Sequence, residues 1–160
     1  MKKVVVPLLL ATVLLSGCAI PGSNQTPKLD VAPYLSEKDR DVLNSIIFEV
    51  QSVLDTLSTF KESNALGFVE KLDYPGWSIK KKSGHILFLK THTFVAEKVF
   101  KIPNDCIKVV NGAELNVCHI KLVKTLSKLG EAYGCNVKVY QIRYPLEEKV
   151  VISCDYGNSI

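Results

Sequence analysis

After residue 15 the sequence has no apolar run that could cross a bilayer as a helix, which takes about 20 residues. It has no C-x-x-C pair, so a thioredoxin-like redox centre and the usual zinc spacings are disfavoured. It has no Gly-rich phosphate loop, no G-x-S-x-G and no H-E-x-x-H. Histidine is scarce: His85, His92 and His119 are all there are. Neither sign of charge dominates, and nothing resembles a nucleic-acid motif. The chain is 160 residues long, enough for one domain.

What the sequence does have is a start built in three zones. Lys2 and Lys3 form a basic head, Val4 to Leu15 is almost wholly apolar, and Leu15-Ser16-Gly17 leads into Cys18. That is the layout of an export signal. Pro7 interrupts the apolar zone, which is too short for a permanent spanning helix.

Leu15-Ser16-Gly17-Cys18 resembles the lipobox of small bacterial lipoproteins. A thiol is the natural nucleophile for a thioether to lipid, and small side chains before it fit a narrow protease site. The resemblance implies that residues 1–17 are removed and that Cys18 becomes the acylated first residue. Two or more acyl chains then hold the protein stably at a membrane. Residue 19 is Ala rather than Asp. By the same resemblance this implies transport to the outer membrane, with the domain facing the periplasm. Loss of Lys2 and Lys3 leaves 18 basic against 16 acidic side chains, too even a balance to argue for a nucleic-acid partner. The resemblance ends with the signal; the body matches no family by motif.

Four cysteines remain: Cys106, Cys118, Cys135 and Cys154. An even number in an exported domain reads as disulfides, with three possible pairings. Asn111-Gly112, the strongest hairpin signal, lies near the middle of 106–118 and folds Cys106 toward Cys118. A second hairpin around 143–148 brings Cys135 toward Cys154. The expected pairs are therefore Cys106–Cys118 and Cys135–Cys154. A metal site using Cys118-His119 is the weaker reading, because adjacent strand side chains point to opposite faces. No metal or cofactor is expected.

Residues 18–33 read as the lipidated cysteine and a Pro-, Gly- and Ser-rich linker. Residues 34–160 read as a single α+β domain. Ser36 caps a long amphipathic helix whose apolar positions, Val42, Leu43, Ile46, Ile47, Val50, Val53, Leu54, Leu57 and Phe60, recur at three and four. Tyr74-Pro75-Gly76 is a turn, Trp77 to Lys81 a short strand, Lys82-Ser83-Gly84 a turn, and His85 to Val95 a strand with both faces apolar at its start. A second helix is expected from about Ile120 to Tyr133, ended by Gly134, followed by the strand 135–142. The tail from Asp155 is read as loose. The fold expected is two helices on a mainly antiparallel sheet, a two-layer sandwich stapled by disulfides.

His85 and His92 read as lying on opposite faces of one strand, and His119 sits at a strand-to-helix junction. Asp73, Asp105 and Asp155 fall near turns, where carboxylates support local backbone. An enzyme is disfavoured; an apolar pocket with a carboxylate converging on His119 would restore that reading. Candidate contacts for a partner are Trp77 and Tyr74, the run Lys80-Lys81-Lys82 at an expected hairpin tip, and the helical stripe Lys121, Lys124 and Lys128. No small-molecule substrate is evident. The functional expectation is a non-catalytic, lipid-anchored factor that binds another envelope protein in a secretion, pilus or conjugation machine. The alternatives are a module for cell-wall glycan or lipid, and a surface-exposed exclusion or immunity lipoprotein.

Overall fold

A computed structural model describes residues 29–62 and 71–159. The expected signal, Cys18 and most of the linker lie outside them. Two helices cover one face of an antiparallel five-stranded sheet in the order β1-β2-β3-β7-β6. The elements are α1 (Glu37–Glu62), β1 (Lys71–Tyr74), β2 (Trp77–Ile86), β3 (Leu89–Lys101), β4 (Ile107–Val110), β5 (Ala113–Asn116), α2 (Val117–Ala132), β6 (Asn136–Ile142) and β7 (Glu147–Ser159). Among the described residues, β4 and β5 pair only with each other. No helix among the described residues is long and apolar enough to cross a membrane.

The three-and-four spacing of α1 places Leu43, Ile46, Val50, Val53, Leu54 and Leu57 on one buried stripe. From α2, Leu122 and Leu126 join them. The sheet answers with Ile79, Phe94, Ala96, Val150 and Ile152. Each large, fully buried chain among these stabilises the fold by about 1.5–3 kcal/mol. α1 is thus a core helix, with Phe48 on its outer side 72% exposed. β3 lies at the centre of the sheet, but not for the reason the sequence suggested: Leu87, Phe88 and Leu89, whose apolar run read as burial on both faces of a strand, are exposed.

Both disulfides follow from register. Asn136 stands opposite Ser153, so Cys135 falls opposite Cys154, at a Cα–Cα distance of 4.5 Å. Ile107 stands opposite Asn116, and the chain then turns into α2, bringing Cys118 to 5.5 Å from Cys106. Asn111 and Gly112 both have positive φ, as this tight turn requires.

Four boundaries differ from the sequence reading. Val31 is already buried in the core and Ala32–Tyr34 form a 3-10 turn, so packing begins before residue 34. Residues 82–84 are not a turn: β2 runs through them to Ile86, and the chain reverses at Leu87-Phe88. α2 starts at Val117, since Asn116 rather than a later residue caps it. The tail is not loose, because β7 continues beside β3 to Ser159.

Candidate functional site

The polar chemistry gathers where α2 begins. Asn116 Oδ1 accepts from the His119 backbone N–H at 3.0 Å, capping the helix and fixing His119 in its first turn. Glu148, wholly buried on β7, places Oε1 2.5 Å from His119 Nδ1. Burial pushes the Glu148 carboxyl above its ordinary range, against the lowering effect of His119. Among the described residues, Asn116 Nδ2 and Glu148 Oε2 have no hydrogen-bond partner. A carboxylate therefore does converge on His119, from a strand that lies 29 positions further along the chain. The neighbouring sulfur, on Cys118, is bonded to Cys106 and is no nucleophile.

A second cluster closes the other side of the same disulfide. Ser36 Oγ accepts from Asp39 N–H and Asp39 Oδ2 accepts from Ser36 N–H, each at 3.1 Å, a reciprocal cap on α1. Asp39 Oδ1 lies 3.8 Å from Cys106 Sγ, and Lys108 Nζ lies 3.7 Å from Oδ2. Burial pushes the Asp39 carboxyl up. The Ser36 backbone and side-chain hydrogen bonds, a hydrogen bond with Asp105 and the Lys108 charge outweigh it, so the carboxyl sits below its ordinary range. Donor atoms of Asp39, Cys106 and Cys118 fall within 4.8 Å of one another. The two sulfurs are bonded to each other, so neither is the thiolate that a metal would need.

The expected contact residues divide. Trp77 is a core residue: it is 8% exposed, its indole N–H donates to Glu49 Oε2 at 2.8 Å, and it packs edge-on against Phe100. Glu49 also pairs with Lys98. Tyr74 is half-buried against the core. Lys80 and Lys82 are exposed and Lys81 half-buried, along the shaft of β2 rather than at a tip. Lys121 and Lys124 are half-buried and Lys128 exposed, away from the buried Cys118, Leu122 and Leu126. His85 stands opposite Lys90 and His92 opposite Ser83, so the two histidines share one face of neighbouring strands, not opposite faces of one.

No family model matches this chain, and neither does any curated protein or solved structure. The most conspicuous surface feature is one that the sequence reading missed. Leu87 and Phe88, 90% and 89% exposed, make the two-residue turn between β2 and β3, and Leu89 beside them is exposed too. Gly and Ser at 83–84 drew the expected turn, because those residues favour turns and Leu-Phe does not. The usable signal was Ile86-Leu87-Phe88-Leu89 itself: four apolar residues in succession, breaking the alternation of a strand between Lys80-Lys81-Lys82 and Lys90.

Proposed function

We propose that this chain is a lipid-anchored protein of the bacterial cell envelope, acting by binding as an assembly factor for an envelope machine. One observation carries the reading. Five cysteines are present, and four of them bond to one another in two disulfides. The fifth is Cys18, the cysteine of Leu15-Ser16-Gly17-Cys18. Structural disulfides belong to an oxidising compartment, and a thiol left over at a lipobox is placed for acylation. Tethering raises the effective concentration of the domain beside membrane partners. Ala19 favours the outer membrane, with the domain on the periplasmic side.

The test is incorporation of labelled palmitate. Label should enter the parent chain and not Cys18→Ala, and the variant should leave the membrane fraction. A parent chain without label sinks the anchor. Crosslinking in native membranes tests the assembly role: recovery of only lipids and abundant porins would remove it. A second reading, lipid binding by the domain itself, is favoured by the apolar turn between basic strands.

A further inference from the structure

We infer that the β2–β3 hairpin is a membrane finger, whose Leu87-Phe88-Leu89 tip enters an anionic phospholipid surface while the lysines of its shaft meet the headgroups. This deepens the second reading above and rests on the domain acting by contact; it makes no use of Cys18.

The finger extends well past the core. The last rows with a buried residue are Ile79 opposite Ala96 and Lys81 opposite Phe94. Five more pairs follow, from Lys82 opposite Thr93 to Ile86 opposite Leu89. At about 3.3 Å per residue they span roughly 17 Å. None of the described side chains on this stretch is buried. β7 accompanies β3 to Lys90 opposite Ser159, which stiffens the shaft. The finger therefore presents a convex apolar end on a braced stem.

Two features select lipid as the occupant. The first is charge. From Ser78 to Ala96 the chain carries Lys80, Lys81, Lys82 and Lys90, with His85 and His92, and not one acidic residue. The acid on the adjoining stretch of β7 is Asp155, whose Oδ1 accepts from Thr93 Oγ1 at 2.6 Å. A basic collar behind an apolar tip complements a surface of anionic headgroups over acyl chains. The second is the turn. Leu87 has φ +56°, a conformation that favours glycine or asparagine, yet an aliphatic chain occupies it, almost fully exposed. A large apolar residue in a strained and solvated position adds little to the fold; entry into a membrane gives it an apolar environment. Interfacial segments reach about 5–10 Å into the headgroup–acyl boundary, which matches a tip of a few residues rather than a spanning element.

The experiment uses the full chain, purified as the cell produces it whether or not it carries acyl chains, and mixed with vesicles of phosphatidylcholine and phosphatidylglycerol carrying brominated acyl chains. Trp77 is the sole tryptophan, and it is buried and hydrogen-bonded, so the parent chain supplies a background away from lipid. In Phe88→Trp a new emission should appear, shift to the blue and be quenched by the brominated lipid. Quenching should fall several-fold in phosphatidylcholine alone, at high salt, and when Lys80 and Lys82 are both changed to glutamine. Because the side chain at position 88 is almost fully exposed, Phe88→Trp should melt with the parent. Water-exposed, unquenched emission from the introduced indole in anionic vesicles would overturn the inference. So would a photo-crosslinker at position 88 that captures an envelope protein in native membranes while lipid quenching is absent. Quenching of Phe88→Trp in a chain that takes up no palmitate would remove the anchor and keep the finger; palmitate uptake without quenching would do the reverse.

Discussion

Asp39 does two things at once: it accepts from the Ser36 backbone N–H to cap α1, and it faces the Cys106–Cys118 disulfide. A carboxylate 3.8 Å from a disulfide sulfur repels an incoming thiolate and opposes the negative charge that the leaving sulfur must carry. Asp39→Asn should therefore be reduced several-fold faster by dithiothreitol at that bridge, with Cys135–Cys154 unaffected, as read by peptide mapping over time. The acid limb should change too. A carboxyl held below its ordinary value of 3.8 contributes stability above that pH, and loses it as pH falls through the folded value. Asp39→Asn should flatten the loss of thermal stability below about pH 3.8. Glu148 has the opposite sign. Burial raises its carboxyl above 4.5, so the folded state holds this proton more tightly than the unfolded chain. Its contribution is present below 4.5 and lost as pH rises through the folded value. Comparison of melting temperatures should show Glu148→Gln gaining on the parent as pH rises from 4.5 toward neutrality, and no such gain would remove this account.

At the scale of elements, two positions set local geometry against side-chain content. Gly130 lies in α2, where alanine is ordinarily better by about 1 kcal/mol. Here a Cβ would meet Val137 Cγ2 at 2.7 Å and the Cys135 carbonyl oxygen at 3.0 Å, because α2 runs against the start of β6. The Gly130 carbonyl also accepts from Cys135 N–H at 2.8 Å, tying the connection tightly. Gly130→Ala should thus destabilise by about 1–3 kcal/mol in denaturant melts, reversing the helix-propensity order. Leu87 is the converse case. Its φ of +56° costs an L-residue about 1–2 kcal/mol. With little packing to lose, Leu87→Gly should stabilise the domain by about 1 kcal/mol, less what glycine adds to the unfolded chain's freedom. A loss of stability instead would mean that Leu87 makes contacts its exposure does not show.

For the whole molecule, what was legible in the sequence is what local rules decide. The stripe of α1, the Asn111-Gly112 turn and the cysteines flanking two hairpins each follow from neighbours in the chain, and with them the α+β class and both pairings. Glu148 meeting His119 was not legible, because that contact joins residues 29 positions apart on a helix and a strand that no local rule brings together. The turn at Leu87-Phe88 was hidden because its residues disfavour turns. This mixture of local and distant constraint makes one further prediction about the disulfides. They close loops of 12 and 19 residues, and chain entropy alone assigns about 3 kcal/mol to each, slightly more to the longer. Their settings differ. Cys135–Cys154 staples strands that seven register pairs already hold within the main sheet. Cys106–Cys118 instead secures the β4–β5 hairpin, which pairs with no other strand among the described residues. Cys106 and Cys118 are also fully buried, so paired serines there would place two hydroxyls in the core beside Asp39. Cys106→Ser with Cys118→Ser should therefore lower the melting temperature by about 10 °C, more than Cys135→Ser with Cys154→Ser. Hydrogen exchange should accelerate across 107–116 in the first variant before it does in the main sheet. The reverse order of melting temperatures would mean that loop length, not the isolation of the small hairpin, governs what each bridge contributes.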